Sequence, residues 1–183
     1  MKLEAINFTD INEAECNMIL EWRNHPDIRN YMTNKNIITK DEHLAFLKSL
    51  ESSAIDFFHN RIREAQTVGR IRPRREGFER GLIKKYFLVK QKDDYLGVVD
   101  FVDIDDTSCE FGLYVNPYIQ KKGVGSLLLE EIIRYAFEEL GLEKIRAKLY
   151  KENKKALGLY EKYGLRITRE DSEYFYMELE DGK

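Results

Sequence analysis

Residues Asn116 to Gly141 read NPYIQKKGVGSLLLEEIIRYAFEELG, with two glycines set directly ahead of a long amphipathic run. Val124, Leu128, Ile132, Tyr135 and Ala136 recur at helical spacing, so one face of that run is expected to be buried, and Gly141 is placed to cap its end. A helix that starts behind glycines offers bare N–H groups and the positive end of a dipole, which together suit a phosphate. The spacing narrows which phosphate. A Walker loop needs four residues between its glycines followed by Gly-Lys-Ser/Thr, and Gly123-Val124-Gly125-Ser126 does not supply it. A dinucleotide fingerprint needs a third glycine where Leu128 stands.

Outward from this stretch the chain alternates strands and helices. Lys2 to Phe8 reads as a strand, and Ile11 to Trp22 as a helix stopped at Asn24-His25-Pro26, because the residue before a proline avoids the helical region. Thr39 followed three residues later by Glu42 forms a capping box that opens a second helix through Leu50. Tyr86–Val89, Tyr95–Ile104 and Cys109–Val115 read as strands, the first two joined by a polar turn at Lys92-Asp93-Asp94. Beyond the glycine helix, Ile145, Ala147 and Leu149 alternate with Arg146 and Lys148 as a strand with one buried face. Asn153–Tyr163 reads as a short helix ended by Gly164, and Arg166–Arg169 with Tyr174–Leu179 as a closing hairpin. A meander followed by one crossover implies an α/β fold, a mixed sheet flanked by helices.

The chain has 183 residues, 43% of them hydrophobic, which suits one domain spanning 1–183. A net charge of −3 marks neither a nucleic-acid nor a membrane protein. No basic leader precedes an apolar run at MKLEAINFTD, and no stretch nears the ~18 apolar residues of a bilayer span, so a reduced, soluble, cytoplasmic domain is expected. Cys16 and Cys109, with His25, His43 and His59, make no spaced metal-ligand pattern, and no metal is expected.

One segment departs from this economy. Residues 52–83 are long for a connection inside a domain. Between Ala54 and Lys85 stand nine basic and four acidic residues, a net of about +5. Ala54 to Gln66 could be helical. Two readings of this Arg-rich insertion stay open: a solvated loop, or a flap that brings cations over a substrate cleft. Arginines without an aromatic platform do not make a nucleic-acid surface.

Gln120-Lys121-Lys122-Gly123-Val124-Gly125 resembles the pyrophosphate loop of the GNAT acetyltransferase superfamily, Gln/Arg-x-x-Gly-x-Gly/Ala. Some thirty residues on, Asn153-Lys154-Lys155-Ala156-Leu157-Gly158-Leu159-Tyr160-Glu161-Lys162-Tyr163-Gly164-Leu165 is similar to the superfamily's second signature, with Leu165 where Phe is usual. The two occur in order with one strand between. The resemblance implies the GNAT fold, a mixed, mostly antiparallel sheet splayed between its fourth and fifth strands, with acetyl-CoA as co-substrate. Pantetheine would pair in the splay like an added strand. The amide near Tyr114 or Val115 would meet the thioester carbonyl, and Asn153 would bond the pantetheine arm. Lys122, Gly123, Val124, Gly125 and Ser126 would hold the diphosphate through their backbone, the Lys121 and Lys122 ammoniums would add charge nearby, and Gln120 would belong to the same coenzyme site. Tyr160 is implied as the proton donor to the leaving thiolate. The base that frees the acceptor amine is left open among Glu110, Asp100 and a water between them and Tyr114.

On the acceptor side, Leu20 to Met32 (LEWRNHPDIRNYM), Asp41 to Leu47, Tyr95 to Asp105 and Cys109 to Pro117 resemble the GNAT members that acetylate a UDP-linked 4-amino-4,6-dideoxy sugar in pseudaminic acid biosynthesis. The Trp-Arg-Asn block also begins related ribosomal-protein acetyltransferases. For a nucleotide-sugar, Arg23 and Arg29 can fork diphosphate oxygens, Trp22 or Tyr31 can stack on uracil, and His43 can bond a phosphate or a sugar hydroxyl. The bland alternatives are a helix-end cap for Arg23 and a core position for Trp22. Acetylation of a protein N-terminus or another small amine is the competing function. A homodimer is compatible with the family.

Overall fold

The structure, a computed structural model, describes residues 3–50 and 84–182. The Arg-rich segment 52–83 and the helix expected within it lie outside the described residues. Seven strands form one sheet in the order β1-β2-β3-β4-β5-β7-β6. They are β1 (Glu4–Asn7), β2 (Lys85–Gln91), β3 (Asp94–Val102), β4 (Ser108–Val115), β5 (Lys144–Tyr150), β6 (Arg166–Glu170) and β7 (Tyr174–Glu180). Every neighbouring pair is antiparallel except β4 and β5. This is the GNAT fold that the two motifs imply.

Among the described residues, five α-helices flank the sheet: α1 (Glu13–Asn24), α2 (Pro26–Arg29), α3 (40–50), α4 (Val124–Arg134) and α5 (Lys154–Lys162). Local chemistry sets their ends. Asn12 and Glu15 close a capping box on α1, with the Glu15 amide donating to Asn12 Oδ1 at 3.0 Å and the Asn12 amide donating to Glu15 Oε2 at 2.9 Å. Thr39 and Glu42 do the same for α3. Pro26 occupies the first position of α2, where a missing N–H costs nothing. The periodic run after the glycines does not stay α-helical to its end. It widens at Tyr135–Glu139 into a π-turn, with the Tyr135 ring packed 5.2 Å from both Phe87 and Phe101, before Gly141 turns the chain at φ +66°.

Alternation along the strands divides the side chains between two cores. Phe87, Val89, Val99 and Phe101 pack with Val124, Leu128, Ile132 and Ala136 beneath α4 and α5. Leu88 and Val98 face the opposite way, against Ile19, Trp22 and Ile28 of α1 and α2 and Leu50 of α3. The side chains left between these cores at the open end of the sheet make the site. No helix among the described residues is long and apolar enough to cross a membrane.

Candidate active site

The parallel pairing of β4 and β5 is short. Ser108 faces Lys144, Cys109 faces Ile145 and Glu110 faces Arg146, and there the strands part. Residues 111–115 keep β3 on their outer side, and residues 147–150 keep β7 on theirs. Their facing edges have no strand partner among the described residues, so this fork presents backbone donors and acceptors to whatever enters it.

At the mouth of the fork stands the glycine loop. Gly123 sits at φ +81° as the N-cap of α4, a conformation that costs an L-residue energy and glycine almost none. No side chain caps this helix, and its first turn holds no acid. The first intrahelical bond is from Leu127 N–H to the Gly123 carbonyl, so the amides of Val124, Gly125 and Ser126 lie ahead of the ladder, with the dipole's positive end behind them. A β-carbon on Gly125 would stand 3.3 Å from Leu159 Cδ2 of α5, which makes this glycine the close contact between loop and helix. Of the two lysines, Lys121 donates to Gln91 Oε1 on β2, whereas Lys122 is exposed.

The helix of the second motif lies against the same opening. Asn153 is its N-cap, accepting from the Ala156 amide at 3.1 Å through Oδ1 and leaving its amide nitrogen for another partner. Tyr160 is 6% exposed, with its ring 5.4 Å from that of Phe111 on the β4 arm. Burial, then the charge of Asp100, pushes its phenol well above the ordinary range, so the hydroxyl keeps its proton at any working pH.

Among the described residues, four buried side-chain nitrogens have no hydrogen-bond partner: Arg23 Nη1, Arg29 Nε and His43 Nε2 on α1, α2 and α3, and Arg146 Nε on β5. Buried polar groups are ordinarily satisfied, so each orphan is a donor that a ligand's acceptor would complete. Three of the four belong to residues the sequence assigns to the acceptor. Arg23 uses its other nitrogen to hold the chain after α2, donating from Nη2 to the Asn34 carbonyl at 2.7 Å. His43 donates to the Cys16 carbonyl, and burial lowers its pKa, so it is neutral with its second nitrogen free. It stands one turn before Phe46, whose ring packs 5.0 Å from Tyr86.

Two expectations change. Trp22 is 2% exposed and enclosed by Ile19, Ile28, Leu88 and Val98, so it offers no open face to a base. Tyr31, at 47% exposure, is the free ring of that block. Alternation alone makes Arg146 an outward position on a strand. Only the register, which sets it opposite Glu110 at the root of the fork, brings it into the site. Lys148 and Tyr150 follow it along the β5 arm, and Lys35 reaches 4.2 Å from the Tyr150 ring, linking the chain after α2 to that arm.

Two carboxylates face this cleft. Asp100 on β3 pairs with Gly112 on β4, and burial, then the charge of Glu110, lifts its pKa to about 7. Burial and Asp103 also raise Glu110, but Arg146 and Lys148 pull it back. Burial and Asp100 push Tyr114 up, which leaves it a neutral phenol.

A sequence profile described as "Acetyltransferase (GNAT) family" matches residues 49–165. The chain belongs to this family. It is an acetyl-CoA-dependent N-acetyltransferase. Among GNAT relatives, it is 40% identical over 171 residues to the acetyltransferase PseH of Campylobacter jejuni subsp. jejuni serotype O:23/36, covering 93% of this chain and 89% of that protein. The crystal structure of Campylobacter jejuni PseH in complex with acetyl coenzyme A superposes with a TM-score of 0.70 at 35% identity, covering 99% of this chain and all of that one. A more distant match, 28% over 96 residues, is the spermidine N(1)-acetyltransferase of Escherichia coli K12, about half of each chain.

Proposed function

We propose that this GNAT enzyme transfers the acetyl group of acetyl-CoA to the 4-amino group of a UDP-linked 4-amino-4,6-dideoxy sugar, directly and within a ternary complex. The observation that carries this reading is the set of unpartnered buried nitrogens on Arg23, Arg29 and His43. Guanidinium forks match phosphate oxygens, and an acceptor bearing a diphosphate would satisfy them. The similarity to PseH over most of the chain supports the same acceptor class. A polyamine is a poorer fit, because the orphan guanidinium nitrogens of Arg23 and Arg29 would meet its cations with like charge.

The roles follow from position. Amides of Val124, Gly125 and Ser126 hold the coenzyme's diphosphate, and the backbone of residues 111–115 and 147–150 pairs with its pantetheine arm. The amide near Tyr114 or Val115 stabilises the oxyanion as the amine attacks the thioester carbon. Tyr160 gives its proton to the departing thiolate.

Two outcomes are expected. Arg29→Ala and Arg23→Ala each remove charge-assisted hydrogen bonds of about 1.5–3 kcal/mol, so the KM for the UDP-sugar rises by about 10- to 100-fold while that for acetyl-CoA holds. Gly123→Ala forces a β-carbon into the left-handed region at a cost of about 1–2 kcal/mol and weakens the coenzyme, not the sugar. Steady-state kinetics with each substrate varied in turn checks both. The acceptor itself is tested by thiol release from acetyl-CoA offered a UDP-4-amino-4,6-dideoxy sugar, spermidine or an N-terminal peptide. Preference for the peptide or the polyamine would overturn this reading.

A further inference from the structure

GNAT chemistry requires a group to take the acceptor's proton, and the cleft holds two carboxylates. We propose that Asp100 on β3, not Glu110 on β4, is the base that deprotonates the acceptor ammonium. The inference rests on amine acetylation and is independent of which amine is acetylated.

The geometry begins with Gly112. A β-carbon at that position would stand 2.6 Å from Asp100 Oδ2 and 3.0 Å from Oδ1, closer than such atoms approach. The missing side chain therefore lets Asp100 lay its carboxylate across β4, beside the edge that β5 leaves open. Its influence extends over the whole fork. Its charge acts on Tyr86 of β2, Cys109 and Tyr114 of β4, and Tyr160 of α5. The group placed to protonate the thiolate and the group placed to accept from the amine thus lie within electrostatic reach of each other.

Glu110 is differently situated. It sits at the last paired position of the fork, opposite Arg146, and Arg146 and Lys148 both act on it. Burial, then Asp103, raises its pKa as well, but those two cations oppose the rise by favouring its ionised form, an opposition that no cation supplies at Asp100. Arg23 of α1 acts on Tyr86 and Tyr114, and Asp103 acts on Glu110, while the charge acting on Asp100 is that of Glu110. Asp100 takes its proton near neutrality, where a base matched to an amine is most effective.

The step balances. The ammonium gives one proton to the Asp100 carboxylate, which passes it to water through the half-open cleft. The free amine attacks the thioester carbon, the C–N bond forms, and the C–S bond breaks as the tetrahedral oxyanion collapses. Tyr160 protonates the sulfur and recovers the second proton lost by nitrogen. One proton in total is released to solvent.

The test combines pH profiles with a titration that needs no acceptor. For the wild type, kcat/KM rises with pH to a plateau, with a midpoint near 7. Asp100→Asn lowers kcat by about 100-fold or more and abolishes that limb, with affinity for acetyl-CoA retained. Glu110→Gln keeps the limb. Gly112→Ala, which pushes the carboxylate out of place, lowers kcat in the same direction. Carbon NMR of the enzyme labelled at its carboxyl groups shows one resonance titrating near 7, absent from Asp100→Asn. Thermal melts give a third readout. The folded state keeps the Asp100 proton between the ordinary carboxylate range and neutrality, so wild-type stability falls relative to Asp100→Asn as pH rises through that window, then levels off. A limb that survives in Asp100→Asn and vanishes in Glu110→Gln, unchanged turnover in Gly112→Ala, or no carboxyl titrating near neutrality would overturn the assignment. Failure of the UDP-sugar as a substrate leaves the NMR and melting results fully readable.

Discussion

Tyr160→Phe is expected to cut kcat by about 100-fold or more while leaving affinity for acetyl-CoA nearly unchanged. The ring is 6% exposed and packs 5.4 Å from Phe111, and phenylalanine fills the same space without the hydroxyl. The proposed coenzyme contacts are left as they are, because the loop and the fork would act through backbone. Only the proton for the thiolate is lost. Burial and the Asp100 charge hold the phenol above its ordinary range, so it is fully protonated when the C–S bond begins to break and gives up its proton late. Turnover numbers with saturating substrates, set beside calorimetric affinity for acetyl-CoA, decide the matter. Near-wild-type turnover would place the acid elsewhere.

The second large effect is on stability. Gly97 lies on β3 opposite Val115, where the β4 arm of the fork ends. A β-carbon there would meet the Tyr114 carbonyl oxygen at 2.2 Å, Leu128 Cδ1 at 2.8 Å and Val115 Cα at 3.0 Å. Two of the three are backbone and cannot swing aside, so β3 and β4 must part. Overpacking of this kind in Gly97→Ala costs about 3 kcal/mol, which for a chain of this size lowers Tm by roughly 10 °C. Because the parted strands carry the residues that line the fork, coenzyme binding weakens with it. Gly158→Ala is the control. Beyond its chain neighbours and its own helix's backbone, no atom lies within 4 Å of its added β-carbon, and its position inside α5 favours alanine by about 0.5–1 kcal/mol. Melting curves of both variants check the pair.

How much of this was readable in the sequence depended on whether the signal was local. The two glycine-bearing motifs, the Thr39–Glu42 box and the stop at Pro26 are contained within a few residues, and the structure has the corresponding elements at those places. The Asn12–Glu15 box was as local but went unread, so the expected start of α1 at Ile11 came out two residues early. The fork was expected only through family resemblance. Nothing in the composition of β4 or β5 says that their pairing stops after Glu110 and Arg146, since the same alternating residues continue on both strands. For that reason Arg146 looked like an ordinary outward position, and Asp100 and Glu110 could not be ranked. Trp22 had both a core and a stacking reading, and packing from three helices and two strands resolved it. The π-turn at Tyr135–Glu139 leaves the apolar spacing almost intact and so gives no warning.

The account stands on unpaired backbone at a forked sheet, and on the helix start beside it, gripping an acyl thioester carrier. Isothermal titration of the purified protein with acetyl-CoA, and then with CoA, measures that directly. Saturable heat with a Kd below about 1 mM, weakened in Gly123→Ala and retained in Tyr160→Phe, is the predicted result. No heat from either ligand at millimolar concentration would contradict it.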